Sequence, residues 1–143
     1  MSLPASMPAD LVELVGQRVL AGDLLDYVRF RAVCAHWRSS TICPRGRGIT
    51  DPRFHPRRWM MLPGGHGLHL GDGTKSFLNL STGVFVRPRI TLLEDHSVLC
   101  SVDGLLLMQR QHGEQEGPIC LLHPFTGDAE KFPPITYHTV LRS

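Results

Sequence analysis

The first forty residues carry two apolar stripes at helical spacing and too little chain to cover either of them. Leu11, Leu14, Val15 and Val19 fall at i, i+3, i+4 and i+8, one face of a helix with about 3.6 residues per turn. Pro8 suits the first turn, where its missing N–H costs nothing, and Asp10 and Glu13 favour the positive end of the helix. Gly22 marks a stop, and Asp23 can cap a new start before Leu24 and Leu25. Phe30, Val33, Cys34 and Trp37 then fall at i, i+3, i+4 and i+7, so residues 7–40 read as helix almost throughout. About 34 residues in two or three short helices lie below the roughly 40 at which domains usually fold unaided. The apolar faces therefore need another surface, either the rest of this chain or a partner protein. On periodicity alone, Trp37, Phe30 and Leu11 read as core.

The remainder is punctuated. Of the 11 prolines and 14 glycines in the 143 residues, most lie after position 44, which argues against one helical bundle. The length fits one ordinary domain or two small units, and an apolar content of 42% argues against a wholly disordered chain. After Leu62 the pattern turns to short strands. Phe77–Leu80, Gly83–Val86, Val98–Ser101, Leu105–Met108 and Ile119–Leu122 are the strand candidates, separated by Ser81-Thr82-Gly83, Asp103-Gly104 and Thr126-Gly127-Asp128 as turns. Asp103-Gly104 between two apolar runs is a strong hairpin signal. Phe77 to Gly83 also lines up with Leu121 to Gly127 at an offset of 44, with Thr-Gly shared and Arg87 opposite Lys131. A period near 44 with several strands per unit fits a propeller blade.

Two resemblances build on these residues. Met7-Pro8-Ala9-Asp10-Leu11-Val12, Asp23-Leu24-Leu25 and Phe30-Arg31-Ala32-Val33-Cys34-Ala35-His36-Trp37-Arg38 together resemble an F-box. That family opens on Leu-Pro-x-Asp-Leu-Leu and closes on Phe-Arg-x-Val-Cys-x-x-Trp-Arg; Met7 and Val12 are apolar departures from the opening. The resemblance implies a three-helix module that docks on a Skp-type adaptor of a cullin–RING ubiquitin ligase, with Pro8, Leu11, Val15, Phe30, Val33 and Trp37 as the adaptor-binding residues. The back half is similar to the β-propeller region that follows the F-box in a plant family of KIB type. Leu80-Ser81-Thr82-Gly83, Ser101-Val102-Asp103-Gly104-Leu105-Leu106-Leu107, Leu122-His123-Pro124-Phe125-Thr126-Gly127-Asp128 and Phe132-Pro133-Pro134 carry the likeness. In that family the propeller is thought to select the protein to be ubiquitinated. A closed propeller takes roughly 4–8 blades, and this sequence holds about one and a half, so a small open antiparallel sheet is expected.

Between the halves lies the basic excess. Residues 1–40 carry four charges of each sign, residues 41–62 carry five arginines against Asp51, and residues 63–143 carry six basic against eight acidic residues. Arg45, Arg47, Arg53, Arg57 and Arg58, interleaved with Phe54, His55 and Trp59, have the composition used for anion or nucleic-acid contact. Pro44, Pro52 and Pro56 with Gly46 and Gly48 exclude a regular recognition helix, so a nucleic-acid reading needs a flexible arm. The plainer reading is a solvated linker whose Trp59–Leu62 end enters the next fold.

Nothing in the sequence nominates a catalytic residue. The Gly64–Ser76 run is not a phosphate loop, because Leu70 stands where Gly is needed and Thr74 separates Gly73 from Lys75. His66 and His69, or Cys34 and His36, lack a second pair at zinc spacing, so neither a metal nor a cofactor is expected. Cys34, Cys43, Cys100 and Cys120 form no C-x-x-C pair, Met1–Asp10 has no secretory character, and no apolar run approaches the ~20 residues of a membrane span. Reduced cysteines in a cytoplasmic or nuclear protein follow, and the Asn79-Leu80-Ser81 sequon is then coincidental.

The expected organisation is α+β: a helical module over residues 1–43, an Arg/Pro-rich linker over 44–62 and a partial propeller segment over 63–143. The expected function is substrate adaptation without chemistry: the helices bind a Skp-type adaptor, and through it cullin, while the β segment offers a surface to a protein target. The alternatives are a nucleic-acid binder acting through the five arginines and a truncated fragment that binds the adaptor but recruits nothing.

Overall fold

The computed structural model describes residues 7–62, 75–112 and 115–133. It is a mixed α+β structure with three helices and two antiparallel sheets of three and four strands, where the sequence suggested one small sheet. Helix α1 spans Ala9–Gly22 and α2 spans Leu24–Arg31. The Pro8 carbonyl accepts from Leu11 N at 3.1 Å and Val12 N at 3.0 Å, which starts α1. Asp23 is extended and its carboxylate accepts from Asp26 N at 3.3 Å, so it caps α2 as expected.

The third helix corrects the sequence reading. Phe30, Val33, Cys34 and Trp37 do not share one helical stripe, because the chain leaves the helix after Arg31 and α3 covers only Ala35–Ser39. Cys34 precedes it in extended conformation. Val33 and Cys34 are weak helix formers, and the break lets Trp37 fold back to stack on Phe30, with ring centroids 4.4 Å apart. Thr41 secures this bend: its hydroxyl donates to Trp37 O at 2.7 Å and accepts from Arg31 Nε at 3.0 Å.

Strands β1 (Trp59–Met61), β2 (Phe77–Asn79) and β3 (Phe85–Val86) pair in chain order. So do β4 (His96–Val102), β5 (Leu105–His112), β6 (Gln115–Leu122) and β7 (Ala129–Phe132). Each of the five strand candidates contributes to a strand. Asp103 (φ 52°) and Gly104 (φ 83°) form the two-residue turn between the paired Val102 and Leu105, as the hairpin signal required.

The offset of 44 is realised as one turn built twice. Asn79 Oδ1 accepts from Ser81 N at 2.8 Å and Thr82 N at 3.2 Å; His123 Nδ1 accepts from Phe125 N at 3.2 Å and Thr126 N at 3.1 Å. Both turns end on a left-handed glycine, Gly83 (φ 76°) and Gly127 (φ 80°). Gly83 N returns to Asn79 O at 2.8 Å, and Gly127 N to His123 O at 3.0 Å. Asn79, buried and committed in this way, is a poor glycan acceptor.

Two apolar clusters form the core. Trp59, Phe77, Ile90, Leu106, Met108 and Leu122 make the one between the sheets, and Leu25 of α2 packs against it. Leu20, Leu24, Tyr27 and Phe54 make the other, under the helices. Phe125 touches both, and Trp59 Nε1 donates to Asp23 at 2.8 Å across the junction. The helices thus find part of their missing cover within the chain.

Residues 44–58 are built into that junction, whereas composition suggested a solvated linker. Phe54 is fully buried and Pro44, Gly48 and Pro56 are buried with it. The segment is irregular, as its prolines and glycines dictate, but it is docked.

Candidate functional site

Three features carry functional weight: the outer face of α1, the arginine segment, and the contact that holds that segment in place. On α1, Val12, Gly16 and Leu20 are buried. At about 100° per residue these lie on one side of the helix, with Leu11, Leu14, Val15 and Arg18 on the other. Gly16 permits the close packing. A Cβ there would meet Thr41 Cγ2 at 2.9 Å and the Phe30 ring at 3.3 Å. The stripe legible in the sequence is therefore largely the uncovered one, with Leu11 at 48%, Leu14 at 53% and Val15 at 40% exposure, while its fourth member, Val19, packs against the helical cluster.

The other residues assigned to adaptor binding divide. Pro8 is exposed at the start of α1, and Val33 is exposed at 51% in the break after α2. Phe30 and Trp37 are half-buried against each other, so their first role is to hold the helices together. Leu14 and Val28, both exposed, belong with the outer apolar residues although only Leu14 fell on a sequence stripe. Met7 O accepts from His36 Nε2 at 2.7 Å, tying the entry of α1 to α3.

The five arginines do not form one surface. Arg47 donates to Cys43 O at 3.2 Å. Arg53 grips Asp51 at 2.8 Å and lies over the Phe54 ring at 5.6 Å; this pairing holds the Asp51 carboxyl below its usual range. Arg58 reaches Ser81 Oγ at 3.2 Å, while Arg45 and Arg57 are exposed. Of the aromatic residues interleaved with them, Phe54 and Trp59 are buried in the core and offer no face for stacking, while His55 is half-buried and bonded through Nε2 to Ile49 O at 2.8 Å.

Asp128 organises the start of the segment. Its carboxylate accepts from Gly46 N at 2.8 and 3.0 Å, Gly48 N at 2.9 Å and Thr126 Oγ1 at 2.9 Å. Burial opposes its charge, but the Gly46 and Gly48 amides, the Thr126 hydroxyl and His123 together hold its pKa below the ordinary carboxylate range. Beside it, His123 is fully buried and donates from Nε2 to Phe54 O at 2.7 Å. With Nδ1 accepting two amide protons, only the neutral ring satisfies every partner, and burial pushes the imidazole below its usual value. Gly48 fits because it lacks a Cβ, which would lie 2.6 Å from Thr126 Oγ1 and 2.8 Å from His123 Cδ2.

Among the described residues no three His, Cys, Asp or Glu side chains gather as metal ligands, and no helix is long and apolar enough to cross a membrane. His66, His69 and Gly64–Gly73 lie outside the described residues, as does Pro134. Cys120 is buried, which raises its thiol, whereas Cys43 and Cys100 are exposed. Asp95, exposed, hydrogen-bonds His96 Nδ1 at 2.7 Å, which lowers its carboxyl, and Glu94 faces Arg89 at 3.9 Å. No family model matches the chain, and the comparisons with curated proteins and with solved structures found no match.

Proposed function

We propose that the chain is an F-box substrate adaptor: its helices dock on a Skp-type adaptor, and through it on cullin, and its β segment faces the protein to be ubiquitinated. The observation that carries this reading is the outer face of α1. Helix α2, Thr41 and the connector at Phe54 cover the inner side of α1, yet Leu11, Leu14 and Val15 stay about half exposed along one stripe. Complete burial of such a side chain is worth about 1.5–3 kcal/mol, so a partner covering the remaining surface of all three would gain about 2–5 kcal/mol. The Phe30–Arg38 pattern points to the class of partner.

The same reading treats β1–β3 and β4–β7 as two successive propeller-type units. The matched Asn79 and His123 turns support it, because each unit uses the same side-chain-capped loop between its last two strands. The protein then acts by binding, in the cytoplasm or nucleus, with no reaction of its own.

Co-expression with a Skp-type adaptor tests this directly. The wild-type chain should co-purify stoichiometrically through size exclusion. Leu11→Ser/Leu14→Ser/Val15→Ser should abolish the complex while the chain keeps its circular dichroism spectrum, since all three side chains are already exposed. Absence of a complex with the folded wild-type chain, or a complex that survives the triple substitution, refutes the assignment.

A further inference from the structure

A groove of about 500 Å³ opens between the end of α1, the start of α2 and the arginine segment. Leu20, Leu24 and Pro56 contribute apolar surface to it, and Arg53, Arg57 and Arg58 contribute cations. We propose that this groove binds a short acidic peptide, one apolar side chain lying between carboxylates. That the peptide belongs to a ubiquitination target rests on the function proposed above; the chemistry of the groove does not.

The charge balance selects the occupant. Among the described residues Asp23 is the only carboxylate lining the groove, and its two oxygens already accept from Trp59 Nε1 at 2.8 Å and Asp26 N at 3.3 Å. Arg53 is countered by Asp51 at 2.8 Å. Arg57 has no side-chain partner among the described residues, and Arg58 has only the neutral Ser81 hydroxyl at 3.2 Å. With Arg53 matched by Asp51, the cations of Arg57 and Arg58 outnumber the single charge of Asp23 around an apolar floor. Arg forks bind carboxylates in paired, charge-assisted hydrogen bonds, while the floor rewards an apolar side chain that displaces water. The volume suits a few side chains, within the range typical of ligand pockets.

A nucleic acid fits these observations less well. Phe54 and Trp59 are buried, and His55, half-buried on the groove wall, is tied through Nε2 to Ile49 O at 2.8 Å, so no row of aromatic faces is offered to successive bases. Arg45 and Arg47 do not line the groove, which leaves no row of cations to track a phosphate backbone.

The test is fluorescence anisotropy on the full chain at moderate salt with a labelled peptide in which Leu is flanked on each side by Asp and Glu. Three competitors accompany it: the same peptide with Lys for every acid, the same with Ser for Leu, and a single-stranded DNA oligonucleotide. The acidic peptide should bind, and both altered peptides should compete at least tenfold more weakly. Arg57→Ala/Arg58→Ala, two exposed sites, should weaken binding at least tenfold without altering the thermal midpoint. Failure of the folded chain to bind the acidic peptide, equal binding by the double variant, or stronger competition by the oligonucleotide each overturns the proposal. Adaptor co-purification is read on the same samples. Its failure with peptide binding intact removes the F-box reading and leaves the groove, and the converse removes the groove alone.

Discussion

Replacing Asp128 with Ala removes the acceptor that ties residues 46–48 to the β6–β7 turn, across 82 positions of sequence. Three donors lose their partner: Gly46 N, Gly48 N and Thr126 Oγ1. A hydrogen bond to a charged group contributes about 1.5–3 kcal/mol, and a buried donor left unpaired costs about 1–3 kcal/mol. Gly46 is exposed, so water replaces its acceptor at little cost, and the Thr126 hydroxyl can turn elsewhere. Gly48 is buried and cannot be resolvated without opening the loop. The sum is a loss of about 3 kcal/mol, of which Asp128→Asn should recover about half by keeping one acceptor oxygen. In urea titration the midpoint should fall with an unchanged slope, and the Gly48 amide should exchange faster with deuterium than it does in the wild-type chain. Arg29→Ala supplies the control: its ion pair with Asp26 spans 3.3 Å but both side chains are largely exposed, so its loss should cost under about 0.5 kcal/mol. A loss below about 1 kcal/mol for Asp128→Ala, or protection at Gly48 equal to wild type, refutes the claim that this carboxylate docks the connector.

Two further outcomes follow from the same junction. His123 has a depressed folded pKa, so the unfolded chain takes up the proton first; its contribution is complete above about pH 6.5 and declines as pH falls toward the folded value, and Asp128 acts with the same sign in the lower carboxylate window. His123→Asn, which copies the Asn79 turn, should keep the loop but lose the bond to Phe54 O, lowering stability at pH 7.5 and flattening its dependence below about pH 6.5, as read by denaturation at stepped pH. Gly104→Ala places a methyl group against the Pro56 carbonyl at a left-handed position (φ 83°), and should cost about 2–4 kcal/mol by thermal unfolding; a shift within error of wild type would mean that the hairpin does not pack on the connector.

The features legible in the sequence were those set by neighbours in the chain. Gly22 and Asp23 ended one helix and began the next, and Asp103-Gly104 made the hairpin, because both depend on local backbone preference. The break at Ala32–Cys34 escaped, since continuous spacing from Phe30 to Trp37 imitates a helix and only the stacking of those two rings reveals the fold-back. Strand β7 escaped because all four of its residues are exposed, so no alternation marks it. Asp128 lies in a recognisable turn, but its partners Gly46 and Gly48 are distant and contribute only backbone amides. His123 had a visible signal. The offset of 44 sets it opposite Asn79, and both side chains offer one acceptor to two amides. The exposed stripe was legible in composition and ambiguous in direction, because periodicity defines an apolar face without saying what covers it.

The head is anchored through its other face. A free helical pair would turn its most apolar faces inward, and α1 instead packs through Val12, Gly16 and Leu20. Leu25 against the sheet core, Phe125 between the two clusters and the Trp59–Asp23 hydrogen bond hold α2 against the sheets from separate directions. Asp128 and His123 fix the connector beneath them. The Leu11–Val15 stripe is therefore presented in a set orientation to the rest of the chain. The groove begins on the same helix at Gln17 and Leu20, and at about 1.5 Å of rise per residue it lies within roughly 10 Å of Val15 along the axis. A partner seated on the stripe and a peptide held in the groove, as proposed, would be near neighbours on one support, so binding of either should be measured in the presence of the other.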